Sequence, residues 1–136
     1  MASIAVEPLY MSECTFTVAS DSYEAALSGV TITPTTPTST WTGLKAGSVF
    51  TKAGKATWTC VLDYMQDWNT TGSLSNYLLA NEGSSIDVVF VPDDGGASIS
   101  VTLIVVPGAI GGKVNSFAEA TATLPVQGRP TLTAGA

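Results

Sequence analysis

The chain has 136 residues, 45% of them apolar and 12% charged, with a net charge of −6 and no histidine. That length makes one domain with a core of useful size, and five basic residues against eleven acidic ones exclude a basic patch for gripping nucleic acid or an anionic membrane. A charged share so far below the usual quarter leaves Thr, Ser and Gly to coat the surface, which suits a chain covered by partners.

Met1 to Tyr10 carries no Lys or Arg and includes Glu7 and Pro8, so no secretory signal pattern is expected. The longest apolar run, Leu103 to Val106, is too short to cross a bilayer. A soluble protein made in the cytosol is the expectation, with Cys14 and Cys60 as two free, buried thiols. Residues 1–12 lack periodicity and read as an N-terminal arm that lies on a neighbouring subunit. Glu13 to Ala19 alternates, with Cys14, Phe16 and Val18 on one face, and predicts a half-buried strand ending at an Asp21-Ser22 turn. Ala25 to Thr33 predicts a second strand with Val30 and Ile32 inward, broken by Pro34. Thr40-Trp41-Thr42 reads as a short strand and Gly43 to Gly54 as a long loop. Lys45, Lys52 and Lys55 place three of the five basic residues close together here.

Ala56 to Tyr64 gives the strongest strand pattern, with Trp58, Cys60, Leu62 and Tyr64 on one face. A tight corner follows, Gln66-Asp67-Trp68, and then the only helical pattern. Leu74, Tyr77 and Leu78 fall at i, i+3 and i+4, Thr71 or Ser73 caps the start, and Asn81 to Gly83 stops a helix over 73–81. So short a helix needs a sheet to hold it. Trp58, Leu62, Leu74, Tyr77 and Leu78 are the expected core, with the helix on the outer side of the sheet that contains Trp58 and Leu62. Ile86, Val88 and Phe90 mark the next strand, Asp93-Asp94-Gly95-Gly96 a hairpin turn, and Ser98 to Val106 the return strand. Ser116 to Leu124 closes the pattern, with Ala118, Ala120, Ala122 and Leu124 on one face and Glu119, Thr121 and Thr123 on the other. Residues 125–136 read as a polar tail. About seven strands with hairpin signals and one helix predict a mainly β chain, an antiparallel sandwich or partial barrel with one short flanking helix.

The chemistry of an enzyme is missing from this alphabet. Without His there is no Ser-His-Asp triad and no His metal ligand. Asp63 and Asp67 flank a corner where a carboxylate pair is conceivable, but local backbone capping explains Asp67 and a strand edge explains Asp63. Asp93 and Asp94 lack the spaced oxygens of a calcium loop, and the glycines of 108–112 lack the Lys and helix of a phosphate loop. No catalytic residue, metal or cofactor is assigned. Trp41, Trp58, Trp68 and Tyr77 are the candidates for a sugar platform, with core the preferred role for Trp58 and Tyr77 and an interface the natural place for Trp68.

Three segments carry a family resemblance: SYEAALSGVTITPTTPTSTWTGL (22–44), ATWTCVLDYMQDWNTTGSLSNYLLANEG (56–83) and VVPGAIGGKVNSFAEATATLPVQGRPTL (105–132). In this order the chain resembles the major tail tube proteins of long-tailed, non-contractile (siphovirus-like) bacteriophages and prophages. The first dozen residues and the lysine loop match no motif. The resemblance implies a single tail-tube domain, a small β-sandwich or partial barrel with a helix on its flank. It implies subunits that close into hexameric rings, neighbouring strands that join in an inner β-barrel, and rings that stack into a hollow conduit for double-stranded DNA. It also implies a place in the virion tail after assembly in the host cytoplasm, and a tape-measure protein and tail tip or terminator proteins as partners.

Placed in that setting, the polar strand faces are the candidates for the lumen: Glu119, Thr121 and Thr123, with Ser100 and Thr102 on a neighbouring strand, and Asp87. An acidic or neutral lumen keeps DNA from sticking. Lys45, Lys52 and Lys55, with residues 1–12, are the candidates for contacts between rings. Gln66 and Trp68, with Ser75 and Asn76 beside them, are candidates for a subunit boundary. The alternative is a monomeric immunoglobulin-like or lectin-like binding module on a virion, with Trp41 or Trp68 exposed to a ligand.

Overall fold

Period-two alternation builds most of the chain. In the computed structural model, which describes residues 3–18, 21–93 and 95–134, ten strands and one helix follow one another among the described residues. They are β1 (Thr15–Val18), β2 (Asp21–Ser22), β3 (Leu27–Thr35), β4 (Thr38–Thr42), β5 (Val49–Ala53), β6 (Thr57–Met65), α1 (Leu74–Ala80), β7 (Ser85–Val91), β8 (Ser98–Ile104), β9 (Glu119–Pro125) and β10 (Thr131–Thr133). All pairings are antiparallel. A five-stranded sheet runs β10-β8-β7-β1-β2, a three-stranded sheet runs β3-β6-β9, and β4 and β5 form a separate hairpin.

The two larger sheets enclose one core. Register puts Phe16 opposite Phe90, Val18 opposite Val88, and Val88 opposite Val101, so one face of the five-stranded sheet is apolar. On the other sheet Cys60 pairs with Ile32 and Leu124, and Leu62 with Val30 and Ala122. Leu62, Leu103 and Leu124 are almost completely shielded from solvent, and truncating any of them to Ala costs roughly 2–5 kcal/mol. The chain passes from the three-stranded to the five-stranded sheet at Val126, which bridges Leu103, while the Gln127 N–H donates to the Thr102 carbonyl at 2.8 Å. The sandwich is therefore stitched on one side. On the other side, between β1 and β3, a cleft of about 440 Å³ stays open.

α1 joins this core. Leu74 and Leu78 are buried with Leu62 and Tyr64, and Tyr77 packs against them and against Tyr23, with 5.9 Å between ring centroids. The helix thus rests on the core-facing side of the sheet that contains Leu62, not on the outer side expected from the sequence, because its apolar stripe shares the core between the two sheets. The Ser73 side chain accepts from the Asn76 N–H, and Asn81 returns both its N–H and its Nδ2 to the Tyr77 carbonyl.

Several expectations shift. Pro34 lies inside β3 rather than ending it, because β3 is an edge strand and needs no N–H on its open side. Residues 43–54 are not a loop: β5 pairs with β4 from Thr42↔Val49 to Thr38↔Ala53. Residues 125–136 are not simply a tail, since β10 returns to the edge of β8. Trp58 shares the inward side of β6 but is only half-buried. It faces Pro34 at the end of the sheet, beside Lys55, Val126 and Arg129, outside the core that Leu62, Leu74 and Leu78 occupy. Asp94, part of the expected hairpin turn, is outside the described residues. Its neighbours make that turn, with Gly95 at φ 81° and the Gly96 N–H on the Asp93 carbonyl at 2.8 Å.

Candidate functional site

The outer face of the three-stranded sheet is mostly polar, interrupted by Val61 and the exposed Met65 on β6. Inward alternation of Cys60, Leu62 and Tyr64 turns Thr57, Thr59, Val61, Asp63 and Met65 outward. Pairing then sets Thr31, Thr33 and Thr35 on one side of them and Glu119, Thr121 and Thr123 on the other. The Thr121 hydroxyl donates to Asp63 Oδ1 at 2.7 Å. Two carboxylates and a field of hydroxyls stand here with no Lys or Arg in the three strands. β3 and β9 end this sheet, each paired on one side only.

The six residues expected together in a lumen divide into two sets. Glu119, Thr121 and Thr123 lie on the face just described. Asp87, Ser100 and Thr102 lie on the solvent side of β7 and β8, on the other sheet, where the Thr102 hydroxyl donates to Asp87 Oδ1 at 2.9 Å. The two faces look away from the core in opposite directions.

The corner after β6 is a closed polar network. Gln66 Nε2 donates to the carbonyls of Gly111 and Glu119 at 2.8 and 3.0 Å, and its Oε1 accepts from the Gly111 N–H and from Trp68 Nε1 at 2.9 and 3.1 Å. Asp67 Oδ1 accepts from the N–H groups of Asn69 and Thr70. The Thr70 hydroxyl first and the Thr70 amide next hold its carboxyl below the ordinary range; desolvation opposes them, and the Asn69 amide adds the least. Ser75 accepts from the Asp67 N–H, and Asn76 Nδ2 donates to the Thr70 and Trp68 carbonyls. These polar groups are occupied within one subunit. What the corner offers outward is the half-buried Trp68 ring.

Exposed apolar side chains concentrate in three segments. Thirteen of the seventeen large hydrophobics that stay exposed among the described residues lie there. The arm holds Ile4, Val6, Leu9, Tyr10 and Met11; the β4–β5 hairpin holds Trp41, Leu44, Val49 and Phe50; the loop before β9 holds Val106, Ile110, Val114 and Phe117. Trp41 and Phe50 face each other across the hairpin at 6.0 Å. Every residue of β4 and β5 is exposed, so no alternation marks these strands in the sequence. A Trp and a Phe in a stretch without a core partner were the available signal. Lys45 sits in the turn of this hairpin, Lys52 on β5 and Lys55 just beyond it, all exposed.

Charge also separates along β6. Lys55 and Arg129 flank its Thr57 end, from which the hairpin with Lys45 and Lys52 springs. Glu24, Asp67 and Glu119 gather at its Met65 end, with Lys113 the one cation there.

Other chemistry finds no geometry. Among the described residues no group of three His, Cys, Asp or Glu side chains is placed to hold a metal ion. Cys14 and Cys60 are unpaired. Cys14 Sγ donates to the Pro92 carbonyl at 3.1 Å, and burial pushes the Cys60 thiol up to about 12. Trp41 and Trp58 sit toward the hairpin end of β6 and Trp68 and Tyr77 toward the other, so the four aromatics form no shared platform. Among the described residues no helix is long and apolar enough to cross a membrane.

No protein-family model and no curated protein matches the sequence. Solved structures do match its fold. The chain is similar to the sheath/tube terminator of an extracellular contractile injection system, PVC, in its extended state, with 16% identity, a TM-score of 0.61, and 98% of this chain and 100% of that one covered. It is similar to a chain of the virion of a native gene transfer agent particle (15% identity, TM-score 0.59, 84% and 88% covered). A third likeness is to a chain of the six-fold symmetrised baseplate of the anti-feeding prophage (14% identity, TM-score 0.53, 98% of each covered). What the chain shares with these structures is its fold, which here is a small antiparallel β-sandwich with one short helix.

Proposed function

We propose that the chain is a structural subunit of a phage tail tube, closing into hexameric rings that stack into a hollow conduit for DNA. One observation carries this reading: a three-stranded sheet with two open edges and an outer face of mainly hydroxyls and carboxylates without a cation. Open edges pair with another chain unless something blocks them. A head-to-tail contact of β3 with the β9 of the next copy closes a ring when the rotation per copy is right. The polar face then lines the bore, where carboxylates repel phosphates.

The likeness to a tube terminator and to virion and baseplate chains supports the same assignment, as do the three apolar segments outside the core. Patches of that kind on a soluble chain mark contact sites. The reading makes the protein a non-enzymatic part of a virion tail, assembled in the host cytoplasm with a tape-measure protein and tail tip or terminator proteins. Double-stranded DNA passes through it without specific binding. Residues 1–136 make a single tail-tube domain, with 1–12 as its N-terminal arm and 125–136 as its C-terminal segment.

Negative-stain microscopy of the purified protein over a range of concentrations tests this. Rings or hollow tubes of uniform bore are expected. A chain that stays monomeric at every concentration and binds glycans overturns the reading in favour of a binding module.

A further inference from the structure

We infer that the open cleft between β1 and β3 receives the aromatic hairpin β4–β5 of a second copy, and that this contact joins one ring to the next. The inference rests on the tube reading and adds the receiving site.

Among the described residues the hairpin is exposed along both of its strands and its only paired strand is its own other half. Trp41 and Phe50 are each 64% exposed, yet they hold one another in a tilted stack that presents a preformed apolar knob. Lys45 and Lys52 flank it. Leaving that much aromatic surface in water is unfavourable by about 25 cal/mol per Å², and a two-stranded hairpin alone is marginal. Contact with a second surface removes both penalties.

The cleft has the complementary character. Cys14, Phe16, Leu27 and Val30 line its walls, and Glu13 and Glu24 stand among them. Its volume of about 440 Å³ lies in the range of clefts that hold a ligand. It exists for a structural reason. β2 covers β1 only at Thr17 and Val18, so the earlier part of β1 has no strand on that side. There Glu24 reaches across, its Oε2 accepting from the Phe16 N–H at 3.4 Å. A bulge between Leu27 and Gly29 disturbs the start of β3, on the other wall.

Position favours a second copy over the same one. The hairpin leaves from the Thr57 end of β6, whereas the cleft lies by the start of β3, which pairs near the Met65 end. A copy displaced along the strands brings its lysines to the glutamates of the next. Such a contact repeats without closing and builds a filament.

Cys14 is a native reporter inside the cleft, and Cys60 is fully buried and does not compete. The test introduces Trp41→Cys, Leu44→Cys or Phe50→Cys singly, checks by microscopy that tubes form, and oxidises them. A ladder of disulfide-linked chains on a non-reducing gel is expected from at least one variant, and it should vanish when Cys14→Ser is added. Tubes that give no Cys14-dependent ladder from any hairpin position overturn this contact and leave the tube reading intact. A ladder from Val6→Cys instead would assign the cleft to the arm. An unmodified chain that never assembles removes the tube reading and the contact with it. As a second measurement, Lys45→Glu with Lys52→Glu should raise the concentration for half-assembly about tenfold at low salt, with Glu13→Lys restoring part of it. No change would overturn the charge pairing.

Discussion

Gln66 grips Gly111 by both ends of its amide. Nε2 donates to the Gly111 carbonyl at 2.8 Å, and Oε1 accepts from the Gly111 N–H at 2.9 Å. Together with bonds to Glu119 and Trp68, one side chain ties the loop before β9 to the end of β6. Gln66→Ala should therefore cost roughly 1–3 kcal/mol by denaturant unfolding, since several bonds of modest net worth are lost together. Amide exchange at 110–112 should speed up and Trp68 fluorescence should shift to the red. Unchanged exchange in that loop would show that packing, not Gln66, holds it. Trp68→Ala separates the two roles of the corner: a soluble, folded chain that fails to assemble assigns the ring to an interface, and loss of folding assigns it to the subunit itself.

How much of this was legible follows from burial. β6, β7, β8 and β9 each bury one face, so Leu62, Val88, Val101 and Ala122 alternate with polar residues and declare themselves. The helix was equally plain from Leu74, Tyr77 and Leu78. Of the β4–β5 hairpin only Thr40-Trp41-Thr42 read as a strand; β5 was invisible because neither face is buried, and period two carries no signal when both sides meet water. β10 was too short to register. Pro34 misled because a proline reads as a break until its strand is known to be an edge. The candidate lumen shows the deeper limit. Alternation says that Glu119, Thr121 and Thr123 share a face, and that Ser100 and Thr102 share one. It does not say which sheet each strand joins, and the pairing puts the two sets on opposite sides of the molecule.

A second anchor of the same loop can be tested by a double-mutant cycle. Tyr64 is buried, and its phenol meets the Gly108 backbone so closely that a Cβ on Gly108 would collide with the hydroxyl. Burial raises the Tyr64 pKa, and a hydrogen bond from the Gly108 backbone acts against that rise. Tyr64→Phe should cost about 0.5–1.5 kcal/mol, and Gly108→Ala about 1–3 kcal/mol by overpacking. The double variant should cost less than the sum. With the hydroxyl gone, the ring carbon Cζ stands 3.2 Å from the new methyl, tight but no longer overlapping. Strict additivity would mean that the loop had already moved away.

Acid should loosen the corner through Asp67. Its carboxyl is held below the ordinary range, first by the Thr70 hydroxyl and then by the Thr70 amide. A folded pKa below the unfolded one gives stability that is present above the unfolded value and is lost as pH falls through the folded one. Melting temperatures of the wild type and Asp67→Asn, measured from pH 7 down to pH 2 (roughly the span over which such a carboxylate titrates), should differ at neutral pH and converge on acidification. A gap independent of pH would assign the difference to geometry rather than charge.

The bore can be identified by asking where DNA sticks. The outer face of the three-stranded sheet carries Asp63 and Glu119 and no cation, whereas Asp87 marks the outer face of the other sheet. Asp63→Lys with Glu119→Lys replaces two repelling groups by two attracting ones in every copy, and tubes multiply that change along their length. Assembled in the presence of short duplexes, the wild type should release DNA on washing. The lysine variant should retain it, and log retention should fall linearly with log salt. Retention alone does not distinguish inside from outside, but nuclease does, because DNA within a closed wall is protected. Protected DNA in the Asp63/Glu119 variant, and digestible DNA in an Asp87→Lys variant, assigns the lumen to the three-stranded sheet. The reverse pattern assigns it to β7 and β8 and turns the subunit around in the wall. Because Asp63 also accepts the Thr121 hydroxyl, the single variant Glu119→Lys serves as the control that leaves this bond in place. It should retain less DNA than the double variant, with a salt slope about half as steep.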